Sequence, residues 1–282
     1  MKRYFDFDMN DYKDKKCNFH SHTVRCQHAV GEEREYVEEA IKEGFEVIGF
    51  SDHSPYLFKN GYVSRIRMTM SQLEDYVKTI EALKKEYRED ITIFLALEME
   101  YFPGIFEPTI EEIRQYPMDY LLLAQHFFYE NESFHGTRFG WADEAHLKTY
   151  VELLMTALDT GYFNMVGHPD IMNYTGDDAL YTKYMKQLAD RLKQERIPIE
   201  INVNGFREGY NYPDKKFVKL GVENGNDFIV GVDAHNPNEY HDLDSYKGCI
   251  KMAEDFGGKV FWKSVPPVKR GDRFKFCVNV KN

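Results

Sequence analysis

Asn18-Phe19-His20-Ser21-His22, followed at once by Cys26-Gln27-His28, is the stretch around which this chain is organised. Residues two apart on an extended strand point the same way, so His20 and His22 present both imidazoles on one face. Neutral imidazole is the commonest side-chain ligand for zinc and related divalent cations. A single His-x-His pair is a weak sign, because alternating polar strands produce it by chance. Its weight depends on how often the rest of the chain repeats it.

Working outward, apolar stretches end repeatedly in ligand-type residues. Residues 45–50 read as a strand running into Ser51-Asp52-His53, and residues 91–97 as a buried strand ending in Glu98-Met99-Glu100. Residues 120–124 lead to Gln125-His126, and 163–166 to Gly167-His168-Pro169-Asp170. Residues 197–202 lead to Asn204-Gly205-Phe206-Arg207, and 228–232 to Asp233-Ala234-His235. Between them lie amphipathic stretches. A helix is expected over 33–43, with Tyr36, Val37, Ala40 and Ile41 on one face and Gly44 ending it. Residues 60–70 read as a loop carrying Arg65 and Arg67, and Ser71-x-x-Glu74 as a capping box opening the next helix. Further helices are expected over 143–160, from Asp178 onward, and after His235, with short strands at the C-terminus.

Strands alternating with helices imply βαβ units and a parallel sheet, and near-continuous apolar strands are those buried on both faces. About seven such units suit an α/β barrel, whose active site sits at the C-terminal ends of its strands. No linker rich in Pro, Gly or Ser interrupts the series, so one domain over residues 1–282 is expected.

The bulk properties narrow the partners. Of the 282 residues, 43% are hydrophobic, enough for a sizeable core. No run of eighteen apolar residues occurs, so no membrane partner is expected. Residues 1–16 are charged and aromatic without the apolar run of a secretory signal. A net charge of -11 argues against a general nucleic-acid binder, while leaving room for a local basic pocket. The cysteines Cys17, Cys26, Cys249 and Cys277 form no C-x-x-C pair, which suits a reduced, cytoplasmic protein. Cys26 lies near the histidines; a small buried side chain is its plainer reading than a ligand.

Seven of the ten histidines (His20, His22, His28, His53, His126, His168 and His235) stand at or just after predicted strand ends. Any one of them reads most simply as a hydrogen-bonded side chain, but chance does not place seven alike. His146 and His241 read as surface residues. His135, in a Gly-containing loop near the barrel mouth, is a candidate to touch substrate. Glu98 follows a buried strand, where an unpaired charge would be costly, and Asp233 stands two before His235. Glu100 points the same way as Glu98 but is expected outside the pocket. Seven imidazoles and two carboxylates exceed one tetrahedral site, so two or three divalent cations are implied. The nitrogen-rich set favours zinc, iron or manganese. Clustered cations of this kind serve hydrolysis of a phosphate ester.

At these residues the sequence resembles the polymerase-and-histidinol-phosphatase (PHP) superfamily, and within it the histidinol-phosphate phosphatase branch. The matching motifs are His20-x-His22 with Cys26-x-His28-Ala29, Ser51-Asp52-His53-Ser54, Arg67-Met68-Thr69, Leu97-Glu98-Met99-Glu100-Tyr101, Gln125-His126-Phe127, Gly167-His168-Pro169-Asp170 and Asp233-Ala234-His235. The resemblance implies a distorted (β/α)7 TIM-like barrel with three metal ions at its mouth. One would be held by His20, His22, Glu98 and Asp233, a second by Glu98, His126 and His168, and a third by His28, His53 and His235. A hydroxide between metals would attack phosphorus, with Asp233 orienting it or handling its proton. His235 or a metal-bound water would protonate the leaving alkoxide.

Two departures from the family pattern stand out. Asn18 holds a place usually taken by Asp, and its expected part is to orient a ligand. The turn after His168, Ile171-Met172-Asn173-Tyr174-Thr175, lacks the basic residue that this branch often carries there. Arg67 and Arg207 are then candidates to hold the phosphate, since guanidinium matches phosphate oxygens in pairs, with Asn204 beside them. The reading is a cytoplasmic phosphomonoesterase acting on a small-molecule phosphate ester, histidinol phosphate first, and possible as a homo-oligomer. A nucleotide or sugar phosphate is the alternative substrate. A DNA-directed exonuclease or a non-catalytic metal-binding regulator fits less well.

Overall fold

A computed structural model describes residues 4–58, 61–130 and 133–261. Strands β1 (Cys17–Asn18), β2 (Val47–His53), β3 (Thr92–Met99) and β4 (Tyr120–Leu123) lie side by side in parallel. An antiparallel hairpin of β5 (Phe127–Glu130) and β6 (Ser133–Gly136) then leaves the sheet, and β7 (Met165–Val166) returns to pair with β4. Strands β8 (Ile199–Asn202) and β9 (Phe228–Gly231) form a second parallel pair. The ring is closed beyond β9 and β1, where His22 N–H donates to Ala234 O at 2.8 Å and Ala234 N–H to His20 O at 3.2 Å. No ladder joins β7 to β8 among the described residues. There the wall is bridged by a side chain, the Glu200 carboxylate accepting from His168 N–H at 2.6 Å. Seven parallel strands thus curve into a barrel interrupted on one side.

The two-residue period of the strands explains where the apolar interior stops and the site begins. Val47, Gly49, Ser51 and His53 share one side of β2, and Phe94, Ala96 and Glu98 one side of β3. Tyr120, Leu122, Ala124 and then His126 follow along and beyond β4, and Ile229, Gly231 and Asp233 along and beyond β9. Val47, Ala96, Tyr120, Leu122, Met165 and Ile229 form the inner core, closed below by Phe7 and Met9 of the N-terminal segment. Each fully buried large apolar side chain there contributes on the order of 1.5–3 kcal/mol. Tyr120 leaves no room for a side chain at position 49, since a Cβ would collide with its hydroxyl.

The opposite faces of the strands pack under helices α1 (Glu33–Lys42), α2 (Met70–Glu86), α3 (Phe106–Ile113), α4 (Glu144–Asp159), α5 (Asp178–Gln194), α6 (Val203–Arg207), α7 (Lys215–Asn224) and α8 (Leu243–Glu254). Among the described residues no helix is long and apolar enough to cross a membrane. The expected Ser71–Glu74 box is replaced by one a little earlier. Thr69 has the extended backbone of a cap, and the Gln72 side chain accepts from its N–H at 2.9 Å, so α2 starts at Met70. Helices α3 and α7 and the β5–β6 hairpin are absent from the sequence reading, α3 spanning only eight residues and each hairpin strand four. The C-terminal strands expected there lie outside the described residues beyond a bridge at Val260, as does Cys277.

Candidate metal centre

The parallel register delivers side chains to one mouth: His53 stands beside Glu98, and Glu98 beside Leu122. His20 Nε2 lies 3.1 Å from Glu98 Oε1 and 3.5 Å from Asp233 Oδ1, and His22 Nε2 lies 3.0 Å from the same Asp233 oxygen. On the other side of Glu98, Oε1 is 3.2 Å from His168 Nε2 and 3.5 Å from His126 Nε2. At the outer edge His28 Nε2 and His235 Nε2 are 3.1 Å apart. The His53 ring centroid lies 5.3 Å from that of His28, with its Nδ1 2.9 Å from Glu98 Oε2. The structure therefore brings together all nine histidine and acidic side chains singled out above. Seven of them (His22, His28, His53, His126, His168, Asp233 and His235) line a cavity of about 660 Å³.

The donor set suits divalent cations. His20 Nε2, His53 Nδ1, both Glu98 oxygens and Asp233 Oδ1 are buried, yet none makes an aligned hydrogen bond to the nitrogen or oxygen atoms within 3.6 Å of it. Lone pairs thus converge on shared points instead of on each other. Buried carboxylates without hydrogen bonds are expensive unless a cation faces them. Burial alone would raise the Glu98 carboxyl, but His126, His53 and His20 outweigh it and hold Glu98 well below the usual carboxylate range. Burial works likewise on Asp233 and is overcome by His20, His22 and His235. In return, against the pull of burial, Asp233, Glu200 and Glu98 hold His20 well above its ordinary value. Burial pulls His22 down as well, but the Asp233 and Asp52 carboxylates beside its two ring nitrogens outweigh it and bring His22 to about 9. Burial pushes His53 well down and His235 to about 3, and lowers His28, which leaves three neutral imidazoles ready as ligands.

Outside the donors, several residues fix their orientation, as partners of metal ligands commonly do. Glu200, which the sequence reading passed over, accepts from His20 Nδ1 at 2.9 Å while also taking His168 N–H. Its signal was an acidic residue inside the apolar stretch 197–201. Gly231 is required opposite it, because a Cβ there would collide with the Glu200 carboxylate. Asp52 lies 3.4 Å from His22 Nδ1 and accepts from the Thr23 hydroxyl and from His53 N–H. Asn18 donates to His20 O, Ser21 Oγ and Tyr240 OH and accepts from His20 N–H and Val232 N–H, tying the first strand to the last. His168 and Asp233 carry positive φ, 26° and 53°, a conformation that costs energy in a non-glycine residue and concentrates at functional sites. Cys26 is buried behind His28, its thiol pushed up by burial and by Asp52.

The residues expected to hold substrate fare differently. Arg67 is corrected: it is buried, with both Nη atoms committed to Glu100 at 2.9 Å, and does not reach the cavity. Glu100 in turn lies behind His126, 3.2 Å from its Nδ1. His135 is corrected too, since it sits exposed on β6 opposite Phe128 and outside the cavity lining. Asn204 lines the cavity, its Nδ2 3.3 Å from Asp233 Oδ2. Arg207 holds Asn204 Oδ1 at 2.8 Å and Glu239 at 2.9 Å, one layer back. Sequence reasoning missed Arg138, Tyr210 and Tyr212 on the cavity wall, because they come from connections and not from strand ends.

Fold and site together define a class: a TIM-like barrel enzyme whose mouth is built for divalent cations. The chain belongs to the PHP domain family, which matches residues 18–204. It is 27% identical over 250 residues to a Deinococcus radiodurans protein named "probable histidinol-phosphatase", covering 86% of this chain and 94% of that one. Identity is likewise 27%, over 241 residues, to the histidinol-phosphatase of Lactococcus lactis, with 78% and 84% covered. Among solved structures, the fold is shared with the histidinol phosphate phosphatase of Lactococcus lactis, complexed with zinc, L-histidinol and phosphate. The TM-score is 0.68 at 20% identity, over 88% of this chain and 95% of that one.

Proposed function

We propose that this chain, acting as one domain over residues 1–282, is a metal-dependent phosphomonoesterase that hydrolyses L-histidinol phosphate to L-histidinol and phosphate. The observation that carries the reading is the sharing of Glu98: its two oxygens face His20, His22, His53, His126 and His168 at once. A single cation has no use for that many donors. Three are proposed, held by His20, His22, Glu98 and Asp233, by Glu98, His126 and His168, and by His28, His53 and His235, with zinc, iron and manganese all suited. Bound there, such cations lower the pKa of water, polarise a phosphoryl oxygen and stabilise a leaving alkoxide.

The chain's own residues supply position and proton handling. Asn202 and Asn204 donate to Asp233 Oδ2 at 3.2 and 3.3 Å, which leaves Oδ1 turned to the centre. Asp233 is thereby set to orient the attacking water or take its proton. His235 stands at the open edge of the cavity as a neutral ligand, so the proton for the leaving oxygen would come from a metal-bound water beside it and not from its ring. Its backbone N–H is anchored on Glu239 at 2.7 Å. The histidinol-phosphatase names of relatives that span most of the chain support the substrate. The uncharged turn over residues 171–175 favours a second reading, another small phosphate ester such as a nucleotide or sugar phosphate.

Phosphate release from L-histidinol phosphate by the metal-loaded protein, beside a panel of nucleotide and sugar phosphates, separates the two. Preference for histidinol phosphate, lost in Asp233→Asn with the fold retained, is the expected result. Faster turnover of another ester moves the substrate; turnover of none overturns the enzyme.

A further inference from the structure

We propose that Arg138 grips the non-bridging phosphate oxygens of the substrate, held in place on the face of Tyr210; this deepens the phosphomonoesterase reading and rests on it. Arg138 lies in a short 3-10 turn (Thr137–Phe139) that directly follows the β5–β6 hairpin. That turn is fastened on both sides. Thr137 N–H donates to His126 O at 2.9 Å, and Asn173 N–H donates to Thr137 O at 3.1 Å. Trp141 N–H donates to Asn173 O at 2.8 Å, continuing the tie to the segment that follows His168. The arginine is therefore presented on the side of the cavity lined by His126 and His168, two of the three histidines that face Glu98 Oε1.

Its guanidinium carbon lies 3.7 Å from the Tyr210 ring centroid and 5.7 Å from that of Tyr212, whose ring is 5.4 Å from His168. Stacking uses the flat face of a guanidinium and leaves its N–H edge free for a pair of phosphate oxygens. Among the described residues Arg138 has no carboxylate partner, whereas Arg67 and Arg207 are committed to Glu100 and Glu239. Among the described residues lining the cavity it is also the one lysine or arginine. A phosphate dianion lying against the histidine cluster has non-bridging oxygens left over, and Arg138 is the cationic side chain in the cavity lining that can meet them.

The test compares wild type with Arg138→Met and Arg138→Lys, all metal-loaded, by calorimetric binding of inorganic phosphate and by KM and kcat for histidinol phosphate. Metal content and melting temperature serve as controls. Arg138→Met is expected to weaken phosphate binding and raise KM about tenfold or more, at unchanged metal content. Arg138→Lys, a point charge without the paired geometry, recovers part of the loss and shows that the site survives substitution. Equal phosphate affinity in all three proteins overturns the proposal, as does a wild type that binds no phosphate. Arg138-dependent phosphate binding without turnover of histidinol phosphate removes the substrate assignment and leaves the role of Arg138 standing.

Discussion

Arg67 and Glu100 meet in a two-bond pair, Nη1 to Oε2 and Nη2 to Oε1, both at 2.9 Å, and both side chains are almost wholly buried. The same carboxylate lies 3.2 Å from His126 Nδ1, so the pair stands behind a cavity histidine. Removing one partner of a buried pair strands the other charge, which costs about 3–5 kcal/mol. Arg67→Met is expected to lose that much in a denaturant titration, and to weaken metal binding about 10–100-fold as His126 loses its support. Wild-type affinity for phosphate per metal-loaded site should survive, in contrast to Arg138→Met. Burial would raise Glu100, but Arg67 and His126 outweigh it and hold it well below its ordinary 4.5. A folded value below the unfolded one gives stability that is full above 4.5 and fades as the pH falls. The gap between wild type and Glu100→Gln should therefore narrow in acid; a constant gap would mean that the charge on Glu100 contributes nothing to stability.

Gly231 faces Glu200 so closely that a Cβ would overlap the carboxylate. Gly231→Ala must push Glu200 away from His20 Nδ1 and His168 N–H, two contacts at opposite edges of the interrupted wall. Overpacking of this kind costs about 1–3 kcal/mol. The expected outcome is a lowered melting temperature together with a lower metal stoichiometry. Wild-type values for both would remove Glu200 from its assigned place.

The barrel and its donors were legible because both obey a local rule. Along β3, Phe94, Ala96 and Glu98 follow the period of two, and a carboxylate at the end of an apolar strand has few uses besides a cation. What escaped the sequence depends on contacts between distant segments. Arg67 reads as a loop arginine free to meet phosphate until the fold folds Glu100 against it. His135 and Arg138 stand three apart in one connection, and only the hairpin geometry turns the first outward and carries the second to the cavity. Glu200 was visible as an acid in an apolar strand, yet its partner His20 lies 180 residues away.

When the cations are removed, protons take their place. In the metal-stripped protein, protons on His20 and His22 sit among Glu98, Asp233, Glu200 and Asp52, and His22 is brought to about 9. Both folded values lie above the ordinary 6.5, so their stabilising contribution is complete below 6.5 and is lost as the pH climbs above it, for His22 through about 9. His53 and His235 behave in the opposite sense. Buried and lowered, they favour the fold above 6.5 and disfavour it as the pH falls. Between pH 6.5 and 9 the first pair governs, so the stripped protein loses stability there while the loaded protein keeps its positive charge. Melting temperatures in chelator and in saturating zinc, compared across that range, are expected to diverge steadily with rising pH. Zinc affinity should rise over the same window, because binding must release those protons. His22→Asn removes one of the titrating groups, so it should flatten the pH dependence in chelator more than it shifts the mean. A chelator effect that shrinks with rising pH would show that the histidine–carboxylate cluster is balanced by something other than bound cations.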